Sequence, residues 1–323
     1  MARLLIEGFG SSNFSIWTSS SLVSGGAFAG YAAQTGVKTL GASISKCYMS
    51  AKIYIYESSF GPQMTWVYFK DSNGVVIGTV ITDSSRYVKI YKGTTAGTLL
   101  GTSVSPLSLG IWYLFECYYE PLNNYGKFQV KLNGVTILEV TGDIDTTAGL
   151  ENILSFGIGP STGGQAVTSY YMDDVVFDDA GWIGNSYIQL VVPTGVGATA
   201  AVWTPSTGAN WSCVDEIPAS DTDYIKANVA GYVDTYGCNN LTGTIGSVKA
   251  VRVMARYAYE GTPTPTKQKI AILVNGTNYY GDNLTPALTY QYAEKLWELN
   301  PNDAAAWEDA DISALEIGMA TVA

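Results

Sequence analysis

The chain has 323 residues, 47% hydrophobic and only 14% charged, which is enough apolar material for two buried cores under a surface of small polar residues. Its net charge is −11 and no run is dense in Lys or Arg, which argues against nucleic-acid binding, because phosphate neutralisation dominates that affinity. Histidine is absent, which excludes His-based triads, His zinc sites and His acid–base catalysis.

Short apolar runs separated by Gly, Asn, Ser and Thr predict an all-β protein, whose residues 1–182 form a jelly-roll sandwich. Asn133-Gly134 supplies the positive φ that a tight hairpin needs, and residues 71–74 give a second turn. Residues 19–30 and 93–101 are expected to be loops. The predicted strands are, in chain order, residues 4–7, 47–56, 64–70, 75–81, 86–91, 111–119, 127–132, 135–140, 153–158 and 172–177.

Residues 183–323 are predicted to form a second β-sandwich. A loop-rich region is expected at 193–246, and the prolines within 261–267 predict an extended loop, since proline cannot donate to a strand ladder. One short helix with an Asp N-cap is expected, at 303–307 or 309–315. The predicted strands are residues 187–192, 248–256, 269–274, 277–280, 290–299 and 315–322.

Residues 110–179 resemble the carboxy-terminal half of a concanavalin A-like, laminin-G-type jelly roll. The features that carry this resemblance are Leu109-Gly110-Ile111-Trp112-Tyr113, Leu132-Asn133-Gly134 and Tyr171-Met172-Asp173-Asp174-Val175-Val176-Phe177. The second half resembles a domain that follows such jelly rolls in tailed-bacteriophage virion proteins. The matching residues there are Trp203-Thr204-Pro205-Ser206-Thr207-Gly208, Val214-Asp215-Glu216-Ile217-Pro218, Tyr290-Gln291-Tyr292 and Leu315-Glu316-Ile317-Gly318.

These resemblances imply a structural, non-enzymatic component of a bacteriophage virion, as a head decoration, fibre or tail protein. It would contact other virion proteins and copies of itself. The alternative is a carbohydrate-binding adhesin that attaches the particle to host surface glycans. The amino terminus lacks the apolar core of a signal peptide and no run is long enough to span a membrane, so we expect synthesis in the host cytoplasm and no membrane insertion.

Four aspartates, Asp173, Asp174, Asp178 and Asp179, flank a short apolar run, and strict alternation would place Asp174 and Asp178 on one face and Asp173 on the other. Ca²⁺ takes six to eight oxygen ligands. The jelly-roll resemblance implies a structural calcium held by Asp174 with Glu7 or a nearby carbonyl. The favoured alternative is a solvated acidic edge that needs no cofactor.

Catalytic carboxylates are not apparent, because the Glu-x-Asp-x-x-Glu run of glucanases with this fold is missing. Glu116 and Glu120 share a strand face but lie roughly 13 Å apart along an extended chain, too far for a retaining pair. The chain is therefore predicted not to be an enzyme.

Exposed aromatic rings are the candidate sugar platform, and Tyr171, Trp203 and Trp211 are the residues we select. Two alternatives stay open, namely contact with a neighbouring subunit, which is favoured, and ordinary core and surface packing. The four cysteines form no C-x-x-C pair. Cys117 is expected to be a buried thiol, and one disulfide in each domain stays open.

Overall fold

The computed structural model describes residues 3–7, 19–24, 31–55, 63–146, 152–159, 170–199, 202–260, 267–285 and 287–322. The chain divides into two compact units, Met1–Ile188 and Gln189–Ala323. We predicted a domain boundary after Trp182, and residues 183–188 group with the first unit. Almost all regular structure in the described residues is β-strand, which confirms the predicted all-β class.

The described residues of the first unit form thirteen strands. They are β1 (Arg3–Glu7), β2 (Ser19–Ser24), β3 (Tyr31–Ile44), β4 (Cys47–Ile55), β5 (Gln63–Lys70), β6 (Val76–Asp83), β7 (Val88–Lys92), β8 (Thr98–Thr102), β9 (Trp112–Glu120), β10 (Gly126–Leu132), β11 (Val135–Gly142), β12 (Ile153–Ile158) and β13 (Tyr170–Asp178).

These strands form a jelly-roll sandwich from one continuous antiparallel path, in the order β11-β10-β9-β4-β13-β3-β12-β5-β6-β7-β8. We call β11, β10, β9, β4 and β13 the front layer, and β12, β5, β6, β7 and β8 the back layer. The long strand β3 joins them, because Ala33 pairs with Met172 of β13 while its later residues pair with β12. β1 adds to β13, and β2 to β3.

The core of the first unit lies between the two layers and is rich in aromatic rings. Phe69 of β5 stacks on Tyr119 of β9 at 4.8 Å, and Phe156 of β12 stacks on Phe177 of β13 at 4.2 Å. Both contacts join front to back, so they hold the two layers as a sandwich. Inward residues alternate with outward ones along β4, β9 and β10, as the period of two predicts.

Within the described residues, the second unit has short strands and one short helix. These are β14 (Pro193–Val196), β15 (Thr204–Pro205), a 3-10 turn (Asn210–Cys213), β16 (Ile225–Lys226), β17 (Val233–Cys238), β18 (Val251–Tyr257), β19 (Lys267–Val274), β20 (Thr277–Tyr280), β21 (Gln291–Trp297), α1 (Asp309–Ser313) and β22 (Glu316–Val322).

A five-stranded sheet, β14-β17-β22-β19-β20, and the β18–β21 pair form the second sandwich. Ile270 and Ile272 of β19 share a core with Val253 of β18 and Trp297 of β21. Trp307 lies buried in that core and its Nε1 donates to the Trp297 carbonyl at 3.0 Å. The apolar faces of the two sheets therefore pack against each other.

Several strand predictions were wrong, mostly where hydrophobicity is low. Ser19–Ser24 and Thr98–Thr102 are strands that fall in or across predicted loops, and Tyr31–Ile44 was not predicted at all. Such strands are specified by pairing with neighbours rather than by their own apolar pattern.

Residues 187–192 form no strand, and in the second unit the predicted loop-rich region at 193–246 contains β14 to β17. Helix α1 lies within the predicted 309–315, but its N-cap is Glu308 rather than an Asp. The predicted loop at 261–267 lies almost entirely outside the described residues. No helix in the described part of the chain is long and apolar enough to cross a membrane.

Candidate functional site

The outer face of the front layer carries a row of three aromatic side chains. Tyr54 on β4 lies opposite Trp112 on β9 and opposite Tyr171 on β13. Their sequence neighbours Ile53, Tyr113 and Met172 are in the core, so alternation directs these three rings away from it. We call Trp112, Tyr54 and Tyr171 the aromatic row.

The rings of the aromatic row lie close together and two are nearly parallel. The centroids of Tyr54 and Trp112 are 5.3 Å apart at an angle of 31°. Those of Tyr54 and Tyr171 are 6.3 Å apart at 11°. All three side chains are half-buried. Three strands spaced about 4.8 Å apart give the row a length of about 10 Å.

A turn before β9 positions Trp112 in this row. Gly110 has a φ of +73°, a conformation that favours glycine, and its N–H donates to the Ile55 carbonyl at the end of β4 at 2.8 Å. This bond sets where β9 begins relative to β4. The segment Leu109 to Tyr113, which carries part of the jelly-roll resemblance, therefore places an aromatic side chain on the outer face.

A segment without regular structure, residues 180–188, crosses the outer face beside the aromatic row, and we call it the strap. Its Gly184 N–H donates to Glu116 Oε1 at 3.2 Å, and its Ile188 N–H donates to Asp174 Oδ1 at 2.9 Å. Its Asn185 Oδ1 accepts from Lys52 Nζ at 2.5 Å. Lys52 is two residues from Tyr54, so the strap forms a wall next to the row.

Trp182 anchors the start of the strap. Its ring lies 5.3 Å from that of Tyr48 and 6.3 Å from that of Tyr118, and Lys131 Nζ sits 3.5 Å from its centroid. These contacts join the strap to β4, β9 and β10. Together they bury outward-pointing Glu116, which is only 3% exposed although it lies on the outer face of the sheet.

Asp174 is a buried carboxylate at an irregular position. The register of β13 on β4 shifts between Asp173 and Val176, and Asp174 has a φ of +51°. The extra residue moves Asp173 to the outer face, opposite Lys52, so the predicted alternation was wrong at that position. Asp174 is 5% exposed and its Oδ2 has no hydrogen-bond partner. Burial raises its pKa, although the Ile188 N–H and Lys52 act in the opposite direction.

The predicted calcium ligands are adjacent in the backbone. Glu7 pairs with Val175, next to Asp174; the Glu7 side chain lies outside what the structure describes. Asp174 Oδ2 is one buried oxygen without a partner, but among the described residues no three Asp, Glu, Cys or His side chains converge. One spare oxygen falls short of the set that Ca²⁺ requires, and the calcium site stays a prediction.

The other two predicted sugar-binding residues lie in the second unit. Trp203 is 6% exposed, so packing covers both ring faces and leaves none for a sugar. Trp211 is half-buried in the 3-10 turn. Of the three residues selected, only Tyr171 belongs to the aromatic row. Its partners Tyr54 and Trp112 were missed, although the alternation of residues 52–56 placed Tyr54 on the face opposite Ile53.

The two glutamates considered for catalysis make structural contacts. Glu116 accepts from the strap, and Glu120 Oε2 accepts from the Tyr118 hydroxyl at 2.5 Å. Burial and this carboxylate raise the pKa of Tyr118. The absence of catalysis stays a prediction.

All four cysteines are free thiols. Cys117 is buried, as predicted, and so is Cys47 on the neighbouring strand, and burial raises both pKa values well above the ordinary range. In the second unit, burial raises the pKa of Cys238 to about 12. A raised pKa favours the protonated thiol, which is the less nucleophilic form.

No protein-family model and no curated protein sequence matches the chain. Among solved structures it is similar to "Cellulose induced protein, Cip1", with 15% identity and a TM-score of 0.38 over 52% of this chain and 88% of that one. It is also similar to a carbohydrate binding module, CBM66 from Bacillus subtilis, with 13% identity and a TM-score of 0.34 over 51% of this chain and 97% of that one. A third similar structure is an endo-beta-1,4-glucuronan lyase from the fungus Trichoderma reesei, with 13% identity and a TM-score of 0.38 over 55% of this chain and 95% of that one. At these identities and TM-scores, function has to be argued from the side chains.

Proposed function

We propose that this chain is a non-enzymatic carbohydrate-binding protein and that the aromatic row is its platform. The observation that carries the proposal is the alignment of Trp112, Tyr54 and Tyr171 across three adjacent strands. Aromatic rings provide a flat apolar surface for the C–H faces of sugar rings. A row about 10 Å long suits a short oligosaccharide segment rather than a single small ligand.

Polar groups beside the row would orient the sugar. Lys52 and Asn185 lie at the strap edge and form a hydrogen bond exposed to solvent. Binding sites that combine an apolar surface with a few polar groups gain affinity from the first and orientation from the second. The net charge of −11 favours a neutral glycan over one that carries carboxylates or sulfates.

The test is a glycan array probed with the whole chain, followed by titration of the best ligand. We expect Tyr54→Ala and Trp112→Ala to weaken binding by roughly tenfold each, since losing one aromatic contact costs about 1.4 kcal/mol. Tyr54→Phe keeps the ring and should bind nearly as well as the unmodified chain. Tyr125→Ala removes an exposed tyrosine from a turn and is the matched control.

Two results would overturn the proposal. One is an unmodified chain that binds no neutral glycan on the array. The other is binding that persists in both alanine variants while circular dichroism shows that they are folded. A loss in Tyr54→Phe equal to that in Tyr54→Ala would point to the hydroxyl instead of the ring.

A second candidate function is a structural role in a bacteriophage virion. The observation that favours it is the residue pattern of the second unit, including Trp203 to Gly208 and Leu315 to Gly318, together with the first-unit jelly roll. A particle component can also bind glycans, so the two functions are compatible. Mass spectrometry of purified particles tests it, and absence of the chain from them would contradict it.

A further inference from the structure

A second cluster of aromatic and charged side chains lies on the outer face of the β18–β21 pair. Arg256 on β18 is directly opposite Tyr292 on β21. The preceding Ala255 and its partner Ala293 pack against the core, so Arg256 and Tyr292 point away from it. This cluster belongs to the second unit and shares no residue with the aromatic row.

The guanidinium of Arg256 lies over two tyrosine rings and forms an ion pair with one carboxylate. Its Cζ lies 4.8 Å from the ring centroid of Tyr292 and 5.4 Å from that of Tyr290. Its Nη2 donates to Asp221 Oδ2 at 2.6 Å, and its Nε donates to Asp221 Oδ1. We call Arg256, Asp221, Tyr290 and Tyr292 the arginine–tyrosine cluster.

The loop that carries Asp221 is fixed by its own hydrogen bonds. The hydroxyl of Ser220 accepts the N–H groups of Thr222 and Asp223, each at 3.2 Å. The Ser206 hydroxyl then accepts the Tyr224 N–H at 3.0 Å and donates to Asp223 at 2.9 Å. The carboxylate is thus presented in a defined place before any ligand arrives, which lowers the entropy that binding must overcome.

The cluster keeps hydrogen-bonding capacity at its surface. The side chain of Arg256 is 22% exposed and that of Asp221 is 46% exposed. A guanidinium has five N–H donors, of which the bidentate contact uses two, and a carboxylate has about four acceptor sites. An adjacent donor and acceptor match two neighbouring hydroxyls of a sugar ring, and the tyrosine rings supply apolar surface for its C–H face.

Charge decides which sugars fit. Arg256 and Asp221 neutralise each other, and Glu260 is exposed nearby. Burial, Asp221, Tyr224 and Glu260 raise the pKa of Tyr290, and Arg256 acts in the opposite direction. Arg256, Asp221 and Glu260 together carry a charge of −1, which disfavours a glycan bearing carboxylates or sulfates.

We propose that the arginine–tyrosine cluster is a second saccharide site, specific for neutral sugars with vicinal hydroxyls. The site does not depend on the aromatic row, and the chain then carries one glycan site on each unit. Two sites on one chain raise avidity for surfaces that display many copies of a glycan.

The competing explanation is that Arg256 has only a structural role, in which it holds the loop that carries Asp221 against the β18–β21 pair. Arg256→Lys helps to distinguish this role from sugar binding, because lysine keeps the charge but cannot make the planar two-bond contact. Arg252→Lys is the matched control, since Arg252 lies four residues before Arg256 on the same strand and pairs with Glu294 at 3.4 Å. The thermal midpoint of each variant measures any contribution of this contact to stability.

The experiment uses the whole chain with Tyr54→Ala and Trp112→Ala combined, which disables the aromatic row, and a glycan array that includes neutral, sialylated and uronic-acid glycans. We expect residual binding to neutral glycans, weakened roughly tenfold or more by Arg256→Lys and by Tyr292→Ala and unchanged by Arg252→Lys.

The outcomes separate the two proposals. If the unmodified chain binds glycans but the combined variant binds none, the aromatic row stands and the second site is refuted. If binding survives in the combined variant and Arg256→Lys leaves it unchanged, the second site is also refuted. Residual binding confined to acidic glycans overturns the neutral class. Binding that depends only on Arg256 and Tyr292 refutes the aromatic row instead.

Discussion

Removing the indole of Trp182 should release the strap from the outer face of the first unit. The ring contacts two tyrosines and one lysine, so Trp182→Ala removes two aromatic pairs and one cation–π contact. Each aromatic pair contributes about 0.5–1.5 kcal/mol and an exposed cation–π contact about 0.5–1 kcal/mol. Because the side chain is 37% exposed, we expect the lower part of that range, about 2 kcal/mol in total.

Hydrogen exchange of two strap amides measures this loss directly. Gly184 and Ile188 donate their N–H groups to Glu116 and Asp174, so they exchange only when the strap opens. A local opening made easier by about 2 kcal/mol speeds their exchange roughly 30-fold. Amides in the core strands should keep their rates, because the sandwich does not depend on the strap.

Tyr125→Ala is the control, since it removes an equally aromatic but 85% exposed side chain from a turn. It should leave the exchange of both strap amides unchanged. If Trp182→Ala also leaves them unchanged, the two bonds to buried carboxylates hold the strap by themselves and the reasoning from ring contacts is refuted. Faster exchange throughout the first unit would show instead that the strap supports the whole sandwich.

Two further predictions concern buried positions of the first unit. Burial raises the pKa of Asp174 above its ordinary 3.8, so the folded chain keeps this proton to a higher pH than the unfolded chain does, and stability falls as the pH rises from the unfolded pKa to the folded one. The thermal midpoint of Asp174→Asn should lack this fall. Equal dependence of the midpoint on pH in both proteins would contradict the argument. Gly78→Ala would put a methyl group 2.7 Å from Tyr119 Cζ in the core and should cost about 1–3 kcal/mol in urea unfolding, whereas Gly41→Ala meets nothing within 4 Å and should cost far less.

Strands with an apolar run or a turn signal beside them could be predicted from the sequence. Ile153–Ile158 and Thr277–Tyr280 have the predicted bounds, and the hairpin at Asn133-Gly134 has positive φ at both residues, as the turn type requires. In these places local pattern and local turn chemistry agree with the fold, so no long-range information was needed.

Weakly apolar strands could not be predicted in the same way. Tyr31–Ile44 contains Gly, Ala, Thr and Ser, yet it is the strand that joins the two layers of the first sandwich. Its conformation depends on partners distant in the chain, chiefly β12 and β13. The same dependence explains β17 in a region predicted as loop, since it pairs with β14 and β22 on either side.

The candidate site shows the same division. Period-two alternation in the sequence places Tyr54 and Lys52 on the face opposite Ile53, and Tyr171 was selected from the sequence as an aromatic of interest. Which strands are neighbours is not contained in that periodicity. Only the strand order β9-β4-β13 brings Trp112 and Tyr171 to the two sides of Tyr54.

The sequence by itself determined that this is an all-β chain without histidine chemistry, because composition and alternation are local properties. Tertiary structure alone decided that an irregularity at Asp174 turns Asp173 outward, that the strap buries Glu116, and that Arg256 meets Tyr290, Tyr292 and Asp221. Each of these depends on register between strands or on a segment folding back over a sheet. A shift of one residue exchanges the two faces of a strand, so such sites are fixed only when the pairing itself is known.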